Sequence, residues 1–423
     1  MSILKTVLNA RKQSSSKASS ASKRSLKDLP SDILVPRMLV IGAAFLLVCI
    51  GLVMIFSASS IVTITKFNNP FYYIQRQLVY VIAGLIACVI ASKLNYRRYS
   101  ILICWIFWAI TLIALAYVAF SSKGAQALGA KRWLMIFGFT FQPTEFAKIT
   151  ILLLMSSALA SFHERRIDSR TLIIITLVGV ALPLGLIITQ PDLGSCIIIV
   201  VTLICLIWLM GLPLRYLLYT FGTVALVVSI FVLTSEFRRN RLIATFNPWL
   251  DAQGAGYQQV QGIYALASGG IFGLGLGNSR QKFSYLPEAH TDFIFAIIGE
   301  ELGLIGALII IILFVALIFG GLQIARKAPD MMGKLIACGA TSCIAIQAGI
   351  NLFCVVGFFP VTGKPLPFLS YGGSSIITSL IFVGLLLNVS IMTGKTAHLG
   401  RTRKEQRKSE RAQRRRASFT IVD

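Results

Sequence analysis

The chain has 423 residues, of which 56% are hydrophobic and only 13% are charged. A soluble domain carries about 25% charged residues, so this composition, with a mean hydropathy of +0.78, excludes an ordinary soluble globular protein. The formal net charge of +24 is typical of nucleic-acid-binding proteins. The positions of the basic residues along the chain therefore have to show whether they contact nucleic acid or a membrane.

Apolar runs of about 20 residues recur along the sequence, and each is long enough to cross a hydrocarbon core of about 30 Å. They predict an all-α polytopic membrane protein with about ten transmembrane helices and a large outer loop, 237–291, between helices 7 and 8. The predicted spans are 38–59, 77–94, 101–121, 143–162, 171–189, 195–210, 216–236, 292–320, 335–358 and 371–393.

The basic residues concentrate in two tails, 1–37 and 394–423, which together carry 18 of the 40 Lys and Arg residues. Placing both termini in the cytoplasm satisfies the positive-inside rule. The Ser-rich N-terminal tail lacks the pattern of a cleavable signal peptide, and its composition is typical of disorder. Because the C-terminal run RTRKEQRKSERAQRRR contains no aromatic residue for base stacking, we expect the tails to contact anionic lipid rather than nucleic acid.

The first polar segment on the outer side is GAKRWLMIFGFTFQPTEFAK. Trp133 follows Lys131 and Arg132, an arrangement typical of an anchor at the membrane interface. Glu145 and Lys148 are three residues apart and therefore share one face of a helix. From this spacing alone, an interface anchor with a local ion pair is as good an interpretation as a functional site.

The second polar segment is the tight turn QPDLGS, which joins the fifth and sixth predicted spans. Asp192 has the position of an N-cap residue for the helix that follows, and the spacing favours that role over catalysis. Ionisable groups at membrane depth are costly, so this carboxylate is still a functional candidate.

The third segment is the outer loop 237–291. A loop of more than about 15 residues without structure of its own is uncommon, and the middle of this loop is too apolar to be solvated. We therefore expect short helices that lie on the outer face or dip into it. Its glycines do not follow a strand or the GxGxxG pattern, so a nucleotide loop is excluded, and they predict sharp turns or close backbone approach. These glycines are at 269, 270, 273, 275 and 277.

The loop ends in Glu288, His290 and Asp292, whose spacing of two and four can bring all three near one point. The structural alternatives are a helix N-cap for Asp292 and a solvated loop for the other two. The functional hypothesis is a carboxylate held at a helix start beside the membrane, with His290 or a metal ion as its neighbour. Partial desolvation makes a carboxylate a better base.

The fourth segment, NLFCVVGFFPVTGKPLPFLSYGGSS, contains three prolines, four glycines, Lys364 and Ser370. Irregular backbone at this depth is tolerated where it is buried in protein or lines a cavity, so we expect cavity lining rather than a plain hairpin broken by prolines. All four segments could then converge on one outer pocket that suits an anionic, lipid-linked substrate. Its basic members would be Lys131, Arg132, Lys148, Arg280 and Lys282.

Taken in their order along the chain, these motifs resemble those of the SEDS family (shape, elongation, division and sporulation), over residues 38–393. The resemblance implies a peptidoglycan glycosyltransferase that polymerises lipid II on the outer face of the cytoplasmic membrane. It also implies a class B penicillin-binding protein as the transpeptidase partner. The stretch SRQKFSYLPEAHTDFIFAIIGEELG is most similar to the division branch, which implies divisome partners and the division septum. The rod-elongation and sporulation branches are the alternatives.

The resemblance also assigns roles to residues. The essential acidic residue of the family falls on Asp292, its functional tryptophan on Trp133, and its Glu/Lys pair on Glu145 and Lys148. Asp292 is the expected catalytic residue, and a divalent cation, Mg²⁺ or Mn²⁺, is left open as a cofactor. The further substrate-binding candidates are Lys131, Arg132, Lys282, Glu288, His290, Lys364 and Ser370.

The leading hypothesis is glycosyl transfer, with Asp292 as the general base on the acceptor sugar. Two hypotheses from other classes stay open. A lipid II flippase predicts polar groups or irregular backbone near the membrane midplane and alternating access. A non-catalytic scaffold that activates the penicillin-binding protein predicts that Asp292 substitutions leave polymerisation unchanged.

Overall fold

The structure, a computed structural model, describes most of the chain from Ser31 to Phe419. The described residues are 31–98, 101–120, 125–127, 130–136, 138–211, 222, 229, 236–283 and 285–419. Apart from residues 222, 229 and 236, the predicted seventh span, 216–236, lies outside them. The N-terminal tail up to residue 30 and the side chain of Lys131 also lie outside them.

Helices dominate the described residues. Seven long ones are α1 (Ser31–Phe67), α2 (Tyr72–Lys93), α3 (Ile101–Phe120), α4 (Pro143–His163), α10 (Ile294–Arg326), α11 (Met331–Val355) and α12 (Gly373–Phe419). Between them lie α5 (Ser169–Thr176), a π-helical turn (Leu177–Ala181), α6 (Leu182–Thr189), α7 (Leu193–Leu209), α8 (Glu236–Phe246) and α9 (Tyr257–Gly269). Short 3-10 turns cover Tyr96–Arg98 and Pro248–Asp251.

Eight helices in the described part of the chain are long and apolar enough to cross a membrane, counting Ser169–Thr189 as one, and Leu193–Leu209 is a shorter apolar helix. The predicted fold class is therefore confirmed. The most internal spans are α4, α11 and α12, each with 67% of its apolar window buried, whereas α3 has 28%. The centre of the bundle is thus built from the helices that carry the second half of the first polar segment and both ends of the fourth.

Three short strands depart from the all-α prediction. β1 (Ala125–Ala127), β2 (Ala130–Ile136) and β3 (Phe139–Phe141) form an antiparallel sheet in the order β1-β2-β3, between α3 and α4. Arg132 and Trp133 lie on β2. β1 and β3 have only three residues each, which is too short to show an alternating pattern in the sequence.

The outer loop contains α8, a 3-10 turn and α9, as predicted, and then folds against α10. At Gly303, φ is +67° and ψ is −166°, so the helix is interrupted there. The N–H groups of Leu274 and Gly275 donate to the carbonyl oxygens of Glu300 and Glu301, at 2.9 and 3.0 Å. A Cβ on Gly273 would lie 2.2 Å from the Glu301 oxygen, so the predicted close backbone approach is confirmed.

Candidate functional site

The four polar segments meet at one end of the bundle, which we call the loop end. It is formed by the start of α4, the turn before α7, residues 357–372 and the start of α10. Side chains from all four segments are in contact there, so the predicted convergence is confirmed in the described residues. We call the buried set Glu145, Lys148, Asp192 and Lys364 the charged cluster.

Glu145 and Lys148 form an ion pair in the first two turns of α4. The Lys148 Nζ lies 2.7 Å from Glu145 Oε2 and 2.6 Å from the Oε1 atom of Gln347 on α11. Thr378 of α12 donates to the same Glu145 oxygen, at 3.1 Å. The local ion pair expected from the sequence is therefore present, and it also ties α4 to the two other central helices.

Asp192 is the N-cap residue of α7, where its Oδ1 accepts from the Ser195 N–H at 3.2 Å. The capping role expected from the sequence is thus confirmed, but the carboxylate does more. Its Oδ2 lies 2.9 Å from the Lys364 Nζ and accepts from the Thr144 hydroxyl at 3.0 Å. Burial would raise the pKa of Asp192, yet the charges of Lys364 and Arg132 hold it below its usual value.

The charged cluster is electrically balanced. Its two carboxylates and two ammonium groups are each at most 2% exposed, and Lys364 Nζ also lies 3.7 Å from Glu145 Oε1, which links the two pairs. Buried charges are stable only when paired in this way. Both lysines are committed to internal partners, so in this structure they order the site and do not present an open anion hole.

Asp292 lies at the edge of this cluster and is half-buried. It is not the N-cap residue of α10, because that position is taken by Phe293. The Asp292 carbonyl accepts from the Asn351 side chain at 2.7 Å, and a Cβ on Gly363 would lie 3.4 Å from Asp292 Oδ2. The carboxylate therefore sits against the backbone next to Lys364.

Glu288 and His290 belong to the same turn as Asp292. The Glu288 carbonyl accepts from the Asp292 N–H at 3.2 Å, and its side chain accepts from the Thr291 hydroxyl at 3.0 Å. His290 stacks on Tyr73 with ring centroids 4.7 Å apart. Burial lowers the pKa of His290, although the nearby Glu288 charge opposes this, so the imidazole is held in its neutral form.

The remaining candidates lie around this centre. Arg132 donates to the backbone oxygens of Gln190 and Pro191, which ties β2 to the turn that carries Asp192. Trp133, beside it on β2, is half-buried. The hydroxyl of Ser370 accepts from the Leu366 N–H at 2.8 Å and so closes a turn in its own segment.

Lys282 lies in a different buried network. Its Nζ is 3.2 Å from Glu301 Oε1, and the Ser57 hydroxyl donates to the same carboxylate at 2.7 Å. The neighbouring Glu300 carboxylate accepts from the Ser279 hydroxyl and from the Arg280 N–H at 2.9 Å. These contacts fasten the loop to α10 and satisfy two carboxylates that the sequence places inside a span.

Sequence reasoning missed the polar residues of α11 that complete the site. Gln347 binds Lys148, and Asn351 binds Asp292 and Lys364. The signal was available, because the two residues are four apart in an apolar span and therefore lie on one helical face.

In the described part of the chain, no group of three or more His, Cys, Asp and Glu side chains could hold a metal ion. The residues present at Asp292 therefore do not fit a metal cage made by the protein alone. A cation at this place would have to take most of its ligands from substrate phosphates and water, as Mg²⁺ commonly does.

Comparison with known proteins decides the family. The family model described as cell cycle protein FtsW/RodA/SpoVE matches residues 37–395. The chain belongs to this family. The resemblance to the SEDS family inferred from the motifs is thereby confirmed, and so is a multi-pass protein of the cell membrane.

Individual family members match over most of their length. The chain is 39% identical to stage V sporulation protein E of Bacillus subtilis, over 84% of this chain and 97% of that protein. It is 38% identical to the probable peptidoglycan glycosyltransferase FtsW of Geobacter metallireducens, over 84% and 94%.

Two solved structures of the family share the fold. A chain from a peptidoglycan synthase complex, in which polymerization and crosslinking are coordinated, matches with a TM-score of 0.67 and 26% identity, over 84% of this chain and 97% of that one. The rod shape determining protein RodA of Thermus thermophilus matches with a TM-score of 0.61 and 26% identity, over 84% and 96%.

Proposed function

We propose that the chain is a peptidoglycan glycosyltransferase that polymerises lipid II into glycan strands during cell division. The observation that carries the proposal is the position of Asp292, a half-buried carboxylate at the edge of a rigid charged cluster. The names of the relatives support the same activity.

In the reaction, Asp292 acts as general base. Its carboxylate accepts the proton of the 4-hydroxyl of the acceptor sugar, and that oxygen forms a new bond to the anomeric carbon of the donor. The bond from the anomeric carbon to the pyrophosphate oxygen breaks, and undecaprenyl pyrophosphate leaves with the electron pair. One carboxylate is sufficient because the leaving group is good, unlike the two carboxylates of a hydrolase.

The charged cluster supports this step by holding the site in shape. Lys364 is fixed by Asp192 and Ser195, and Lys148 by Glu145 and Gln347. Preorganised groups of this kind cost no reorganisation when charge develops. Because both lysines are committed to internal partners, the leaving pyrophosphate is stabilised by Arg132 on β2, which is part-exposed.

The decisive experiment is polymerisation of lipid II by the purified protein with its penicillin-binding partner. Asp292→Asn should reduce turnover by about 10²–10⁴-fold, the usual contribution of a general base. Asp251→Asn is the matched control, since Asp251 is an exposed carboxylate of the same outer loop that caps a local turn. Wild-type turnover by a folded Asp292→Asn protein would overturn the proposal and favour the scaffold hypothesis.

A divalent cation, Mg²⁺ or Mn²⁺, is proposed as a companion of the substrate rather than a resident of the protein. Chelation should then lower turnover, and the apparent affinity for the added cation should rise with the concentration of lipid II. If turnover is unchanged by chelation, no cation takes part.

Translocation of lipid II is the alternative activity, and it predicts polar groups deep in a span. Glu300 lies about 9 Å along α10 from Ile294, at a rise of 1.5 Å per residue, and Glu301 follows it. Both are fastened to the outer loop by several hydrogen bonds, which favours a structural role for them. Flipping of lipid II in liposomes without polymerisation would revive this alternative.

The loop end is proposed to face outward, with both termini in the cytoplasm and the basic tails on anionic lipid. The proposed partners are a class B penicillin-binding protein and divisome proteins at the septum. Since a sporulation protein is as similar to the chain as a division protein is, imaging of a fluorescent fusion has to decide. Septal signal supports division, and lateral or forespore signal supports elongation or sporulation.

A further inference from the structure

One buried side chain on α11 bridges two parts of the loop end. The Asn351 amide nitrogen donates to the carbonyl oxygen of Asp292 at 2.7 Å and to that of Lys364 at 2.8 Å. Asn351 is only 2% exposed, so water does not compete for these bonds. This amide group therefore links the start of α10 to the irregular fourth segment, in addition to the hydrogen bond from the Tyr371 N–H to the His290 carbonyl oxygen at 2.9 Å.

The orientation of this amide is determined by its partners. Both are carbonyl oxygens, which only accept, so the Asn351 nitrogen must face them. The Oδ1 atom then points elsewhere, and it is buried without a hydrogen-bond partner in the part of the chain that the structure describes. Because an unsatisfied buried acceptor costs stability, packing alone does not account for an asparagine here.

We infer that Asn351 is a positioning residue for glycosyl transfer: it holds the backbone of Asp292 in register with that of Lys364. The inference rests on the proposed function. The Lys364 ammonium is anchored separately by Asp192 and Ser195, at 2.9 and 2.6 Å. Loss of Asn351 should therefore displace the base more than the lysine.

The chain offers a matched control at the opposite end of the bundle. Asn388 on α12 is also 2% exposed. Its amide nitrogen donates to the carbonyl oxygens of Ala91 and Ser92, each at 2.9 Å, and to that of Leu94, and its Oδ1 atom accepts from the Tyr96 N–H at 3.3 Å. It makes the same kind of contact with backbone as Asn351, far from the charged cluster. Replacing Asn388 removes at least as many hydrogen bonds as replacing Asn351 does, but only the Asn351 change lies beside the base.

The test measures kcat and KM for lipid II, and the thermal unfolding midpoint, of Asn351→Ala and Asn388→Ala. A displacement of about 1 Å can cost about 10²-fold in rate, so we expect kcat of Asn351→Ala to fall at least ~10-fold with KM nearly unchanged. Asn388→Ala should lower the midpoint at least as much and keep its kcat. Asn351→Asp keeps the size of the side chain but not its two N–H donors, so it should show the same loss of kcat. It replaces Asn351→Ala in the test if the alanine variant does not fold.

The outcomes are separable. Wild-type kcat in the Asn351 variants overturns this inference, and so does an equal loss of kcat in Asn388→Ala. If Asp292→Asn is inactive in the same assay while the Asn351 variants are fully active, the proposed function stands and only the positioning role fails. If Asp292→Asn is fully active, or if the wild-type protein forms no polymer, the proposed function fails and takes this inference with it.

Discussion

The buried ion pair between Lys282 and Glu301 gives a quantitative test of how the outer loop is attached to α10. The two side chains are 4% and 0% exposed, and their charged atoms are 3.2 Å apart. Removing one partner of a buried pair leaves an uncompensated charge, whereas replacing both by neutral groups of similar size does not. The perturbations are Lys282→Met, Glu301→Gln and the double variant.

The structure sets the relative size of the two single effects. Breaking a buried pair costs roughly 3–5 kcal/mol. Without Lys282, Glu301 still accepts from the Ser57 hydroxyl at 2.7 Å and from the Ser279 N–H at 3.4 Å, so Lys282→Met should cost about 3 kcal/mol. Without the Glu301 charge, Lys282 keeps the Gly277 carbonyl as its other acceptor, so Glu301→Gln should cost about 5 kcal/mol.

The double variant should be more stable than the sum of the single losses predicts, by at least ~1.5 kcal/mol, which is within the range seen for directly interacting residues. The measurement is the free energy of unfolding in mixed micelles with increasing denaturing detergent. The control is the exposed pair of Arg166 and Glu164, 74% and 43% exposed and 2.8 Å apart, where we expect a coupling below about 1 kcal/mol. If the buried pair is additive within about 0.5 kcal/mol, the loop is not held by this charge pairing.

Two further predictions concern the same end of the molecule. Gly303→Ala should destabilise the protein by about 1–3 kcal/mol, because φ is +67° and the new Cβ would lie 2.4 Å from the Gly273 nitrogen. The control in the same unfolding titration is Gly42→Ala, since a Cβ on Gly42 would meet no atom within 4 Å. Because the pKa of His290 is lowered from 6.5 by burial, the unfolded chain binds its proton first as the pH falls. The free energy of unfolding should therefore decrease as the pH drops below about 6.5, and His290→Gln should flatten that dependence; an unchanged slope would contradict it.

The convergence of the loop end could be predicted because it depends on local patterns. Apolar runs gave the spans, and polar residues interrupting them marked the four segments. The ion pair of Glu145 and Lys148 needed only a spacing of three on a helix. Close approach at Gly273 followed from the absence of side chains in the glycine-rich stretch.

The partners across the site could not be predicted, because they join distant parts of the chain. Lys364 pairs with Asp192, 172 residues away, and Lys148 with Gln347, 199 residues away. Helical periodicity carries no information on such pairs. The sequence groups Lys282 with substrate-binding residues, because no sequence pattern reveals that its partner, Glu301, faces it from the next element of the chain.

The exposed fraction of each carboxylate distinguishes those that support the structure of the site from Asp292, which can act on substrate. Glu145, Asp192, Glu300 and Glu301 are each at most 1% exposed and bind lysines, hydroxyls or backbone N–H groups of this chain. A general base has to come within about 3 Å of the substrate hydroxyl, which a fully enclosed carboxylate cannot do without the bundle opening. Asp292 is half-buried and lies beside the enclosed charges, so it combines access to substrate with a rigid surrounding. The buried charges are therefore best understood as the frame that holds this reachable carboxylate in place.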